Sequence, residues 1–244
     1  MDEWYKIWFD SPFYHILYHE RDEKEARQFL TALIDFLRPS VHALMLDQAC
    51  GRGRHARILA EMGFQVTGID LSENNIAYCK QFENDHLHFA IHDMRRILAV
   101  NMFDYAFNLF TSMGYFRNEN DQQLTISSAA AALKKGGYYI IDFMNAKRVI
   151  RELIPEMYKS VNDIDFRIRR RVEDHFIIKE IEFEHQGQPY HFTEYVQAMT
   201  LDDFESYFAR AGLTLCNTFG DYHLHPFDEH HSERLILIAR KNLD

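Results

Sequence analysis

Leu46-Asp-Gln-Ala-Cys-Gly-Arg-Gly-Arg54, followed by Val66-Thr-Gly-Ile-Asp70, is the stretch whose reading decides the fold. It reads as a buried strand, a small-residue turn, a helix, and a second strand that ends on a carboxylate. Parts in that order build a crevice at the edge of a parallel sheet, where open α/β sheets take an adenosine-containing ligand. The acid that closes the second strand suits a ribose with both hydroxyls free. The missing third glycine and the early Asp47 argue against a nicotinamide dinucleotide.

Outward from this stretch, strands and helices alternate. Strands are predicted at 43–47, 65–70, 87–92, 103–109 and 138–143. Helices are predicted at 54–62, stopped by Gly63, and at 72–82, with Ser72 as N-cap. Another, at 121–133, carries an alanine run and closes on Lys134-Lys135-Gly136-Gly137. Such alternation implies a parallel sheet with helices on both faces. Upstream, residues 1–20 are rich in aromatics, among them Trp4, Tyr5, Trp8, Phe9 and Tyr14. Residues 22–38 have helical period, with Ala26, Phe29, Leu30, Leu33, Ile34 and Leu37 on one stripe. Asp22 is the predicted cap, with Glu25 three residues on, and Pro39 the stop. From about 156 to 199, β-formers alternate with polar residues, which reads as an antiparallel meander exposed on one face. Gly187-Gln188-Pro189 supplies a turn in it. A helix at 201–211, between Thr200 and Gly212, precedes two last strands at 213–219 and 234–240. The whole reads as one domain over 1–244, with an N-terminal helical lid at 1–38 and a β-rich insertion at about 156–199.

The composition is that of an ordinary globular protein: 47% hydrophobic and 26% charged residues, with 20 Phe and 13 Tyr. The net charge of −10 lacks the basic surplus of a nucleic-acid binder, so no nucleic-acid partner is expected. The three cysteines, Cys50, Cys79 and Cys216, form no C-x-x-C pair, which argues against a zinc site of that type and against a disulfide framework. The N-terminus lacks a signal-peptide pattern, and no apolar run reaches spanning length. A reduced, cytoplasmic setting without membrane partners is the expectation.

These motifs resemble the class I S-adenosylmethionine-dependent methyltransferases over most of the chain. Asp47-Gln-Ala-Cys-Gly51-Arg-Gly53 matches that family's first motif, with Ala49 where glycine is usual; the turn is expected to tolerate it if φ stays negative. Asn108-Leu-Phe-Thr-Ser-Met-Gly-Tyr-Phe116 and Ser232-Glu-Arg-Leu-Ile-Leu-Ile-Ala-Arg-Lys241 resemble a bacterial small-molecule subgroup similar to sugar N,N-dimethyltransferases. Tyr18-His-Glu-Arg-Asp22 looks like its lid segment. The resemblance implies an α/β fold: a Rossmann-like, doubly wound, seven-stranded, mostly parallel sheet with an antiparallel edge pair and an antiparallel β insertion. It implies S-adenosyl-L-methionine as cofactor and a small-molecule acceptor with a nitrogen or oxygen nucleophile, methylated by in-line displacement. The oligomeric state stays open, a homodimer included.

Carried onto this chain, the resemblance gives Asp70, followed by Leu71, to the ribose and Asp93 to the adenine amino group, with Met94 covering the ring. Gly51 and Gly53 permit close backbone approach, and Asp47 orders the loop or acts through water. Tyr18, His19 and Arg21 belong to the lid, with His19 and Arg21 as partners for the tail carboxylate. Asn108, Ser112 and Tyr115 follow the fourth strand as candidates to position the acceptor, and His223 is another; Asn108, like Ala49 of the turn, is also given to the cofactor. No catalytic base is identifiable. His223, His225, His230 and His231 crowd one loop at 221–231 without fixed ligand spacing, so no metal is expected. Arg167, Arg169, Arg170 and Arg171 read as a solvated, salt-bridged hairpin more readily than as a phosphate site. Action on nucleic acid or protein, and ligand sensing without catalysis, are the competing readings.

Overall fold

The computed structural model describes residues 3–19 and 23–243. Its centre is the strand Leu44–Gln48 (β1), where Met45, Leu46, Asp47 and Gln48 are all buried. A strand buried on both faces belongs inside a parallel sheet covered by helices. β1 pairs in parallel with β2 (Gln65–Asp70) on one side and β4 (Phe103–Asn108) on the other. β3 (Leu87–Ile91) extends the sheet beyond β2, and β5 (Leu133–Met144) beyond β4. With β10 (Leu213–Phe219) and β11 (Arg234–Lys241) the order is β10-β11-β5-β4-β1-β2-β3, seven strands. β11 runs antiparallel to both of its neighbours. The chain moves outward from β1 to β3 and then jumps back to β4. That reversal leaves a crevice at the carboxyl ends of β1 and β4.

Helices cover both faces. On one, α3 (Glu23–Leu37) buries Ala26, Phe29, Leu30 and Leu33 beside α4 (Arg54–Glu61), in a core that includes Phe107 and Ile140. Asp22, the predicted cap of α3, lies outside the described residues. On the other face, α6 (Glu119–Ala132) and α8 (Leu201–Arg210) pack Ile126, Ala129, Phe204 and Phe208 against Ile141, Phe143 and Leu237. Thr200 closes α8 with a capping box: its side chain accepts the Asp203 N–H, and Asp203 accepts the Thr200 N–H at 2.7 Å. Thr200→Ala is expected to cost about 1 kcal/mol, read as a lower urea midpoint at unchanged slope. Among the described residues no helix is long and apolar enough to cross a membrane.

Local boundaries differ from the sequence reading in several places. The strand after α6 begins at Leu133, where a Lys-Lys-Gly-Gly turn was expected. Lys134 reaches both carboxylate oxygens of Asp104 at 2.8 Å, and a register shift between Phe103 and Tyr105 absorbs the glycines into β5. The helix expected at 72–82 is α5 (Glu73–Cys79) followed by a 3₁₀ turn, Lys80–Phe82. A short α7 (Ala146–Arg151), capped by Asn145, was not anticipated.

The segment 156–197 forms a second, four-stranded antiparallel sheet: β6 (Glu156–Val161), β7 (Ile164–Glu173), β8 (Phe176–His185) and β9 (Gln188–Gln197). Its three hairpin loops are Asn162-Asp163, Asp174-His175 and Gln186-Gly187, all with positive φ. Two-residue loops of that kind match the twist of the flanking strands. The last loop therefore sits one residue earlier than the sequence suggests, and Pro189 lies on the edge strand β9, where its missing N–H is harmless. One sheet face carries the basic cluster as a lattice of ion pairs: Arg169 with Glu182 at 2.6 Å, Arg171 with Glu180 at 2.7 Å, and Arg167 with Glu156. Arg170 alternates to the other side, against Met157. On that other face Phe166, Ile181 and Phe183 pack under α1 (Trp4–Trp8) and α2 (Pro12–Leu17) through Trp4, Trp8 and Leu17. The two short helices thus roof the crevice.

Candidate functional site

The crevice opens on a cavity of about 970 Å³, within the size range of small-molecule and cofactor sites. The turn after β1 forms its floor. Cys50 donates its N–H to Ile69 at 2.9 Å, and Gly51 donates to Asp70 Oδ2 at 2.8 Å. A Cβ on Gly51 would have nothing within 4 Å, so the backbone is bare toward the cavity. Gly53, by contrast, is packed: a Cβ there would meet the Phe89 ring at 2.7 Å. Ala49 departs from expectation, since its φ is +55° rather than negative. That left-handed conformation costs an L residue roughly 1–2 kcal/mol. The bonds that the next two residues, Cys50 and Gly51, make to the end of β2 offset it.

Asp47 stands behind this floor, 1% exposed, and accepts the Ala56 N–H in the first turn of α4 at 3.1 Å. It orders the loop from below and does not line the cavity. Burial pushes its carboxyl up to about 7; the Ala56 bond opposes this, the Asp70 charge adds to it, and Arg54 opposes it. Asp70 lines the cavity at the end of β2 and accepts the N–H groups of Gly51 and Ser72, the latter at 2.9 Å. Burial raises its pKa, against the pull of those two backbone bonds. Asp93, two residues past β3, is gripped by the Arg95 guanidinium, Nη2 to Oδ2 at 2.6 Å. Its pKa is lowered overall: burial would raise it, and the bonds and charge of Arg95 prevail. Arg95 also reaches Asp121 at 3.0 Å and lies over the Phe116 ring.

Tyr18, His19, Ala49, Gly51, Asp70, Leu71, Asp93, Met94, Ser112 and Tyr115, all singled out from the sequence, line this one cavity. Arg21 lies outside the described residues. Asn108 is fully buried behind the wall, with its amide nitrogen 3.7 Å from Met94 Sδ and its Oδ1 without a partner. His223 is exposed and away from the cavity. The loop 221–231 is drawn toward α3 instead, because Tyr222 packs on Phe29 with ring centroids 4.5 Å apart. His225 and His231 there bond to Asp221 and Asp228 within their own turns.

Sequence reasoning missed several wall residues. Tyr5, Phe9, Asp10 and Tyr14 descend from the roof, and Phe110 and Phe116 come from the segment after β4. Asp10 bonds Asn74 at 2.7 Å and also Ser72, tying the roof to the start of α5. Arg54 and His55 line the cavity too. They follow Gly53 directly, and their place at the first turn of the helix was a usable signal. Burial, with the Arg54 charge, lowers the His55 pKa to about 3, so its imidazole is neutral at physiological pH.

Comparison with known proteins places these features in context. Residues 45–137 match the family described as methyltransferase domain. The protein YqeM of Bacillus subtilis (strain 168), which carries a methyltransferase name, is 34% identical over 124 residues, 50% of each chain. The dTDP-3-amino-3,4,6-trideoxy-alpha-D-glucopyranose N,N-dimethyltransferase of Streptomyces venezuelae is 27% identical over 40% of this chain and 41% of its own. The chain spans about half the length, or less, of these curated relatives in the matches. In three dimensions it superimposes on an S-adenosylmethionine-dependent methyltransferase from Clostridium acetobutylicum with a TM-score of 0.78 at 17% identity, covering 93% of this chain and 95% of that one. S-adenosylmethionine-bound CalS10, an amino pentose methyltransferase from Micromonospora echinaspora, gives 0.72 at 19% identity, over 95% and 98%. At these identities the likeness is one of fold.

Proposed function

The chain carries a methyltransferase domain at residues 45–137, and on that premise we propose that it transfers a methyl group from S-adenosylmethionine to a small-molecule acceptor at nitrogen or oxygen. One observation carries the reading: Asp70 and Asp93, at the ends of successive strands, open on the same cavity as the bare backbone of Gly51. The residues present fit the cofactor. Asp70 keeps lone-pair capacity for a ribose hydroxyl beside the Gly51 and Ser72 N–H groups and the Asn75 side chain that it already accepts. Asp93, held in place by Arg95, faces the cavity as an acceptor for the adenine amine, with Met94 beside it. The tail carboxylate would find the guanidinium of Arg54 from α4, with the His19 ring from the roof lining the same cavity.

The sulfonium supplies an already activated methyl group. The protein therefore has to align an acceptor in line with it and keep water out. Ser112 and Tyr115 line the cavity, and their hydroxyls, which donate to the Leu109 and Thr111 carbonyls, keep lone pairs that can accept a hydrogen bond from the acceptor. Tyr5, Phe9 and Phe116 supply apolar surface around it. The Streptomyces venezuelae relative is named for N,N-dimethylation of an amino sugar nucleotide, and an amine is the acceptor this likeness favours. The −10 net charge speaks against nucleic acid as substrate.

S-adenosylhomocysteine is expected to raise the melting temperature and to bind in a calorimeter. Asp70→Asn is expected to weaken that binding by about tenfold to a hundredfold, the worth of a hydrogen bond to a charged group. Absence of binding by the unaltered, folded protein would overturn the reading. Transfer of labelled methyl from S-adenosylmethionine to a panel of amines and alcohols then identifies the acceptor class. Label found instead in RNA, DNA or protein, or binding without any transfer, would favour the competing readings.

A further inference from the structure

We propose that the pair formed by buried Asp142 and partly buried Arg234 is a positioning device for the cavity wall formed by residues 109–116. This rests on the proposed function for what the wall faces, though not for the wall's geometry. Leu109, Phe110, Ser112, Tyr115 and Phe116 of this segment line the cavity. The segment leaves β4 through two successive residues in the left-handed region, Phe110 (φ +64°) and Thr111 (φ +59°). Neither is glycine, and for a β-branched threonine this conformation is an outlier. Such backbone persists only when its surroundings over-determine it, and it clusters at functional sites.

Here the surroundings are two residues, one on β5 and one at the start of β11. Asp142, with a fully buried side chain, accepts the Phe110 N–H on Oδ2 at 2.9 Å, and its backbone carbonyl accepts the Thr111 N–H at 2.9 Å. Arg234 donates Nε to Asp142 Oδ1 at 2.7 Å and Nη2 to Thr111 Oγ1 at 2.9 Å. One guanidinium thus grips the carboxylate and the strained residue together, which suits its rigid fork. Tyr222 adds its hydroxyl to Asp142 Oδ2 at 3.1 Å. From the far side, the Tyr115 hydroxyl donates to the Thr111 carbonyl, so the aim of Tyr115 is linked to the same residue.

The pairing of the two strands extends well beyond this pair. β5 and β11 are already in register from Arg234↔Met144 to Arg240↔Tyr138, and apolar residues of similar volume often serve as well as a buried ion pair. What apolar residues could not supply is the set of bonds to Phe110 and Thr111. Both members lie outside the matched domain at 45–137, and neither lines the cavity. They act through the loop and touch no ligand.

Hydrogen exchange of the full-length protein tests this. In Asp142→Asn, amides of 110–112 are expected to exchange at least tenfold faster relative to the amides of β1, β4 and β5, which report any global loss of stability. Arg234→Lys, which reaches only one of the two partners, is expected to act in the same place and decides the matter if Asp142→Asn does not fold. Thr111→Asn, which tolerates the left-handed region, is expected to bring the exchange in either variant back toward the parent value. Unchanged exchange at 110–112, a uniform rise over the whole sheet, or no recovery with Thr111→Asn would each overturn the proposal. S-adenosylhomocysteine binding by the parent protein is measured alongside. Its failure would count against the proposed function and leave the exchange result readable.

Discussion

Glu194→Ala is expected to lower stability by about 3–5 kcal/mol, the cost of removing one partner from a buried ion pair. Glu194 sits on β9, 8% exposed, and holds three groups. Trp8 Nε1 donates to it at 2.7 Å from α1, the Tyr18 hydroxyl at 2.7 Å from the end of α2, and Lys179 Nζ at 2.8 Å from β8. Lys179 also donates to the Tyr18 hydroxyl at 2.6 Å. Without the carboxylate, the Trp8 indole N–H loses its acceptor in a poorly hydrated place and the Lys179 ammonium is left with the neutral Tyr18 hydroxyl. The melting temperature is expected to fall by on the order of 10 °C for a chain of this length. Because the contact ties the roof helices to the second sheet, indole fluorescence is expected to shift red before the main transition. An unchanged melting temperature would refute this account of the roof.

The same cluster sets a pH dependence. Burial alone would raise the Glu194 pKa; the Lys179 charge and the bonds from Lys179, Tyr18 and Trp8 outweigh it, so the net shift is downward from 4.5. A carboxylate whose pKa is depressed on folding stabilises the fold fully above its unfolded value and loses that contribution as pH falls through the folded value. The stability difference between parent and Glu194→Gln is therefore expected to be largest at neutral pH. It should shrink below about pH 4.5, where unfolded glutamate begins to take up protons.

Gly53→Val is expected to have the second large effect, destabilising by about 2–5 kcal/mol: roughly 1–2 for a left-handed L residue and roughly 1–3 for overpacking. Gly53 is the N-cap of α4 with φ +74°, and its hydrogen faces the buried Phe89 ring and Cys79 Sγ. The ring, 2% exposed, has little room to retreat. Any adjustment displaces the start of α4, and with it Arg54, His55 and the Gly51 turn. The variant should show a lower urea midpoint and, at a temperature where it is folded, no S-adenosylhomocysteine binding by calorimetry. A parent-like midpoint would mean the turn is looser than its contacts imply.

Legibility in the sequence followed the range of the interactions. β1, the Gly51 turn and α4 could be read because a short apolar run, small residues and helical period all act within a few residues. Asp70 and Asp93 could be placed because each closes a strand, and strand ends converge in a doubly wound sheet. The same rule misplaced His223: it follows a strand, but Tyr222 and Phe29 draw its loop away from the cavity. Ala49 was misjudged because its φ is set by the bonds of Cys50 and Gly51 to β2, not by local preference. The basic run on β7 was resolved by strand alternation, with the pairing glutamates supplied by β6 and β8.

By itself, then, the sequence determined the strand–turn–helix order, the doubly wound sheet and the carboxylates at the edge of its cavity, since all of these follow from local periodicity and chain-adjacent turns. Tertiary structure alone decided what closes over that edge. The aromatic roof is fastened by Trp8 and Glu194, 186 residues apart, and the wall after β4 is clamped by Asp142 and Arg234, 92 residues apart. Contacts at such separations depend on the path of the whole chain. Residues that meet only when the sheets are assembled carry no mark of that meeting in their own neighbourhoods.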